Sequence, residues 1–512
     1  MTGPTPDAAA PPERPEPTDP TIDTSSGARG AKAQSPMGGL VWSIFGTWGQ
    51  KVVVFVMFIV LANLLDPRDF GLVALGVAMV GMSQAIFMSS FGGVIVQRAD
   101  LDDRYCDTVF WMVIGTAVLM TAGIWIAAGV MATAAGEAAM TPVLRVMGLV
   151  LVVYAMGTVQ QAWLSRRMAF RSVAIRNLIS VLVGGAAGVA AALAGWAWWS
   201  LVLQQAVTAG VATVILWVAS GWRPHFAFDR ARARDSLDFI GWMVGWGLLV
   251  MVERYSDLAV VTLLLGATAA GLYSTAQRIA HLLVDLLSGA VGQVFLSVFS
   301  RLQEDKEALA DFFYLGVRVV ALVALPAFCG LAAVADLAIL VLVGERWIEA
   351  APLLAALSIG AAVTTLTHPN FTLMTGAGKT RWVFFWALTM AASNLAAVLV
   401  ASSFGALAVA IAIALRSILL MPLTIFSVAR LMPVSAGRYL GALLPAAVAT
   451  AAMAATVLAL RPAIPADLAP SIRLAALVAA GGAVYCAVIL AAFRRSTLDA
   501  LGRLRTLKLG QD

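Results

Sequence analysis

About fourteen apolar blocks, each of roughly 20 residues or more, fill the chain from Leu40 to Phe493, and the gaps between them are too short for folded domains. A hydrocarbon core about 30 Å thick is crossed by a helix of about 20 apolar residues. Lipid offers the backbone no hydrogen bonds, so open sheets and irregular loops cannot replace such helices. The chain is therefore expected to be an all-α polytopic membrane protein. Composition points to the same solvent, with 61% hydrophobic and only 12% charged residues. A mean hydropathy of +0.89 lies well above that of water-soluble domains.

The excess of base over acid is a topology signal. Basic residues sit in loops between spans and form no continuous basic face, which excludes nucleic acid as a partner. The tails and the loops after even-numbered spans hold about 24 basic residues against about five opposite, so both termini are expected in the cytoplasm. Residues 1–36, rich in Pro, Ala, Asp and Thr, read as a disordered tail, and 494–512 as a basic tail. No secretory signal is expected, because the first apolar run starts near Leu40 and is long enough to span. Cys106, Cys329 and Cys486 lack any paired spacing and read as packing residues.

The spans fall into two halves. Leu64, Leu65, Gly71 and Leu72 recur as Leu264, Leu265, Gly271 and Leu272, and Pro142-Val143-Leu144 is echoed by Pro352-Leu353-Leu354. Two six-helix lobes in the same orientation are expected, at 37–221 and 239–430, followed by an accessory pair of spans at 431–493. The fourth, fifth and seventh spans read as Pro142 to Leu164, Leu178 to Trp196 and Phe239 to Leu265. Between the lobes, residues 222–238 mix aromatics with arginines, as a tether lying on an anionic leaflet does.

The chemistry resides in ionisable residues near span centres: Lys51, Glu253, Arg254, Asp257, Asp285 and Arg416. Facing lipid, each costs about 2.5–3.5 kcal/mol on insertion scales, so they are expected to face one another or water in a polar interior cavity. Glu253 and Asp257 share one helix face, while Arg278, His281 and Asp285 form a stripe at helical spacing. Arg278 lies nearer a span end and is expected to reach toward headgroups. Glutamines recur within spans, among them Gln50, Gln84, Gln160, Gln161, Gln204, Gln205, Gln277 and Gln293. Such amides either glue helices together or bind hydroxyls. Pro369, flanked by His368 and Asn370, marks a kink.

No nucleophile elbow, phosphate-cradling loop or metal-binding motif occurs, and neither cofactor nor metal is called for. Asp100, Asp102 and Asp103 resemble a metal-nucleotide triplet but lack a supporting fold, and read as a solvated loop. Outward loops are too short for the acceptor site of a polymerase or ligase.

Six stretches carry a family resemblance: Leu61 to Ala74, Gln97 to Leu101, Gln160 to Arg171, Tyr255 to Arg278, Ser300 to Gln303 and Val343 to Leu354. Together they resemble the polysaccharide exporters of the multidrug/oligosaccharidyl-lipid/polysaccharide flippase superfamily, in particular Wzx-type flippases. The resemblance implies two lobes around a cavity open alternately to each side, moving a polyprenyl-diphosphate-linked oligosaccharide between leaflets. Membrane lipids and the polysaccharide polymerase machinery are then the further partners. Lys51, Arg254, Arg278 and Arg416 become candidates for the diphosphate. Glu253, Asp257, Asp285 and His281 become candidates for counter-ion or ion coupling, and Gln50, Gln84 and Gln293 for sugar contact. A lipid-linked peptidoglycan precursor flippase and a multidrug/cation antiporter of the same superfamily stand as alternatives. Central cations at least as numerous as anions favour an anionic substrate over a cationic drug.

Overall fold

The structure is a computed structural model describing residues 36–493 apart from 99, 302–305, 377–379, 431, 433–434 and 466; for 36–47, 288–301, 375–376 and 380–381 it describes the backbone alone. The expectations for the two tails and for the Gln293 side chain lie outside the described residues.

Every regular element among the described residues is a helix. The first lobe holds α1 (Pro36–Leu64), α2 (Pro67–Gln97), α3 (Asp103–Ala134), α4 (Met140–Arg166), α5 (Phe170–Leu193) and α6 (Trp199–Ser220). The second holds α7 (230–265), α8 (267–301), α9 (Lys306–Ala333), α10 (Ala350–Gly376), α11 (Thr380–Ser402) and α12 (Ala406–Ala429). The accessory pair is α13 (Ala436–Leu460) and α14 (Pro470–Ala492). Among the described residues, twelve helices are long and apolar enough to cross a membrane. One of the twelve is the 58-residue stretch Arg230–Leu287, divided into α7 and α8, and α1 adds another crossing, so fourteen crossings stand as expected.

The division falls at Gly266, whose φ of 86° and ψ of 177° suit glycine alone. Its effect is visible in the side chains. Asp257 and Gln277 would be about 30 Å apart along a straight helix, yet the Gln277 amide donates to the Asp257 carboxylate over 2.8 Å. The chain therefore doubles back at Gly266.

Three boundaries differ from the sequence reading. α5 starts at Phe170, eight residues early, because the basic segment before Leu178 is also helical. Its Arg176 is only 6% exposed and belongs to the lobe interior, whereas the sequence reading placed it in a charged loop. α4 is interrupted at Met156–Gly157. α7 begins at Arg230, so half of the inter-lobe segment is the first turns of a helix.

That segment is anchored to the first lobe. Trp222 is buried, with its ring 6.0 Å from Phe110, and Phe226 stacks on Trp111. The His225 backbone N–H donates to Asp107, Arg98 pairs with Asp235 at 2.5 Å, and Arg232 pairs with Asp102. Aromatic burial and charge pairing hold it against α3. Asp102 also accepts from the Tyr105 N–H and so caps α3, which gives the acidic loop a structural role.

The lobes meet at the face opposite this linker. There α2 and α8 cross at Gly71 and Gly271, the two glycines of the sequence repeat. A β-carbon on Gly71 would stand 1.7 Å from the Ala267 carbonyl oxygen, and one on Gly271 would stand 1.7 Å from that of Pro67. The contact is reciprocal, as a two-fold relation between repeated lobes requires. Hydrogens on both Cα atoms let the backbones touch where any larger residue would hold them apart. Beside the crossing, the fully buried Trp347 donates its indole N–H to the Ala62 carbonyl over 2.9 Å. Asn63 donates to the Leu342 carbonyl, and Arg346 pairs with Asp66 at 3.3 Å. The other echo is also structural: α4 and α10 begin at Met140 and Ala350, each two residues before its repeated proline.

α13 and α14 pack on the outside of the second lobe through α9. The Arg438–Asp311 pair at 2.8 Å and the Tyr485 hydroxyl donating to the Leu322 carbonyl mark that contact.

Candidate functional site

Among the described residues, the ionisable and amide side chains read from the sequence divide among three cavities. The central one, about 410 Å³, lies between the lobes among α1, α2, α7 and α8. Lys51, Arg254, Arg278, His281 and Asp285 all line it. The helical stripe read from the sequence is thus real, with three residues of α8 facing one space. Lys51 Nζ lies 3.2 Å from Asp285 Oδ2, and an Arg254 amino group lies 4.0 Å from Oδ1. One carboxylate therefore serves two cations from different lobes.

Arg278 has no carboxylate partner among the described residues. Its guanidinium lies 4.8 Å from the centre of the Phe58 ring, which supplies a weak π contact across the lobe interface. It does not reach to the headgroups, as its place near a span end had suggested. The fold-back at Gly266 aims this face of α8 into the bundle. Three cations against one carboxylate leave the central cavity with two positive charges in surplus.

The second cavity, about 360 Å³, lies wholly inside the second lobe, among α7, α10, α11 and α12. Arg416 and Glu253 line it, together with His368, Asn370, Trp246 and Trp386. This corrects the expectation of one shared charged chamber. Arg416 donates to Asn394 over 2.5 Å and lies 3.8 Å from Glu253. Asn394 in turn donates to the Glu253 carbonyl and to Ser256. The cluster joins α7, α11 and α12. Asn394 escaped the sequence reading, although a lone amide in the middle of an apolar span is a signal of the same kind as the glutamines.

Asp257 faces neither cavity. It is 5% exposed and accepts from the Tyr273 hydroxyl at 2.7 Å, from Gln277 at 2.8 Å and from the Leu258 N–H at 2.8 Å. With its acceptor sites occupied by neutral donors, it ties α7 to α8 below their turn. Glu253 and Asp257 still share one face of α7, but α8 covers the end of that face that holds Asp257.

The third cavity, about 170 Å³, lies in the first lobe and is lined by Gln50, Tyr154, Gln204, Gln205, Thr208 and, from the other lobe, Arg278. Gln50 therefore lines two cavities. Gln84 is half-buried on α2 and lies outside the linings of all three. Gln160 is fully buried, where its amide suits the Met156 carbonyl and the Trp217 indole, so it is helix glue.

Residues 60–352, which contain the lobe crossing and the whole lining of the central cavity apart from that given by α1, match the family of polysaccharide biosynthesis proteins. The chain belongs to that family. The succinoglycan biosynthesis transport protein ExoT of Rhizobium meliloti (strain 1021) is 30% identical over 70% of this chain and 72% of its own length. The lipopolysaccharide biosynthesis protein WzxC of Escherichia coli (strain K12) is 22% identical over 67% of this chain and 70% of its own. Among solved structures, the lipid II flippase MurJ in an inward closed conformation superposes with a TM-score of 0.73 at 11% identity, covering 90% of this chain and all of that one. At that identity the likeness is one of fold.

Proposed function

We propose that this protein carries polyprenyl-diphosphate-linked oligosaccharides from the inner to the outer leaflet of the bacterial plasma membrane by alternating access, for the assembly of cell-surface polysaccharide. The observation that carries the proposal is the two-charge positive surplus in the central cavity, with Arg278 free of any carboxylate among the described residues. A diphosphate diester brings two negative charges. Charge-assisted hydrogen bonds from guanidinium and ammonium groups replace the hydration it gives up on leaving the surface. A cationic drug entering the same space would meet net repulsion, which argues against an antiporter of that kind.

The positive-inside pattern supports an orientation with both termini and the inter-lobe linker in the cytoplasm. The glycine crossing then closes the lobes on the outer side. The lipid tail stays in the bilayer while the sugar headgroup, whose hydroxyls cannot be desolvated unpaired, travels through the polar interior.

The test is translocation of a fluorescent polyprenyl-diphosphate oligosaccharide in proteoliposomes. Arg278→Ala is expected to lower the rate at least tenfold and Arg278→Lys by less, because lysine keeps the charge but loses the fork. Rates unchanged in Lys51→Ala, Arg254→Ala and Arg278→Ala alike would remove the basis for a diphosphate site.

A further inference from the structure

We propose that the small cavity of the first lobe is a binding pocket for one neutral sugar ring, the residue attached directly to the diphosphate. The proposal rests on the diphosphate reading above and names where the next part of the same substrate goes.

Size and position come first. An apolar cavity of about 150 Å³ is known to take a benzene ring, so about 170 Å³ suits one six-membered ring and leaves no room for a second. The pocket adjoins the central cavity, with Gln50, Val54 and Arg278 lining both. A molecule held by Arg278 at this junction has its next group at the mouth of the pocket.

Chemistry selects the ring. Gln50, Gln204 and Gln205 converge here, and the side-chain amides of all three lack hydrogen-bond partners among the described residues. Half-buried amides that border a cavity inside a membrane bundle take their partners from whatever fills it, whereas Thr213 and Thr208 of the same helix α6 are satisfied by the protein, donating to the Val153 and Gln204 carbonyls. Each amide is both donor and acceptor, as each sugar hydroxyl is. The pocket lining contains no carboxylate. Its one cation, Arg278, stands at the entrance. Every hydroxyl of a neutral hexose can satisfy either half of an amide, whereas the carboxylate of an acidic sugar only accepts and leaves an amide oxygen facing it unpaired. The Tyr154 hydroxyl adds one more donor to the wall.

The experiment compares two probes on the full-length protein in nanodiscs, decaprenyl diphosphate and the same lipid carrying a single glucose. The glucose is expected to tighten binding about tenfold or more, the effect of one or two net hydrogen bonds. Gln204→Leu and Gln205→Leu are each expected to remove most of that gain and to move the affinity for the bare lipid less than twofold. That second value also reports that each variant is folded. Equal affinity for the two lipids in the natural protein, or an undiminished gain in both variants, would overturn the sugar pocket while the diphosphate site stands. Failure of both lipids to bind would overturn the diphosphate reading and the pocket together.

Discussion

A β-carbon on Gly71 would stand 2.9 Å from the backbone nitrogen of Gly271, and one on Gly271 would stand 3.1 Å from that of Gly71. The two glycines are equivalent in the repeat and meet at its centre. Overpacking a close helix contact typically costs about 1–3 kcal/mol. At this crossing the obstructing atoms are backbone carbonyls, which cannot swing aside. Gly71→Leu and Gly271→Leu are each expected to abolish translocation and lower the melting temperature. Gly123→Leu, on an open face of α3 with nothing within 4 Å of its would-be β-carbon, is expected to do neither.

The Asp257 cluster predicts an inverted order of damage. Tyr273→Phe removes a donor and leaves a buried carboxylate under-satisfied, at a cost of about 1–3 kcal/mol. Asp257→Asn keeps an acceptor for the Tyr273 hydroxyl. Melting curves in one detergent are expected to show Tyr273→Phe as the less stable of the two, and the reverse order would mean that the carboxylate charge itself is used.

The Arg416 cluster separates a strut from a binding residue. Its stronger contact is Asn394 at 2.5 Å, and Glu253 is farther, at 3.8 Å, with 42% of its side chain exposed to the cavity. Asn394→Leu is expected to destabilise by about 1–3 kcal/mol, and Glu253→Gln by clearly less. Equal losses would show that the ion pair holds the helices.

The linker clamp carries a pH dependence. Its hydrogen bond to Arg232 holds the Asp102 carboxyl below the usual carboxylate range, with partial burial opposing. A group whose folded value is depressed stabilises above its unfolded value of about 3.9 and loses that contribution as pH falls through the folded value. The protection of amides 222–236 from hydrogen exchange, taken relative to their intrinsic rates, is therefore expected to fall below about pH 4. In Asp102→Asn it should already be lower at pH 7 and lack that acid step. The size is modest, because the Asp102 side chain is 55% exposed and salt screens the pair.

Much of the candidate site was legible in advance, for one reason. Charges in hydrocarbon are costly, so Lys51, Arg254 and Asp285 had to find one another or water. The partition was not legible. Glu253 and Arg254 are neighbours in sequence, but successive residues on a helix point about 100° apart, and they enter different cavities. Gln50 lies in the first span and Gln204 and Gln205 in the sixth, and nothing in their spacing announces a common pocket.

By itself the sequence determined the number of crossings, the repeat and its glycines, and the residues too polar for lipid, because each follows from the transfer of local groups into one uniform solvent. Tertiary structure alone decided which of those groups meet. Helix rotation, the fold-back at Gly266 and the reciprocal approach of α2 and α8 assign Asp285 to Lys51, Arg416 to Asn394 and Arg278 to no acid among the described residues. These are relations between faces, and no linear pattern encodes them.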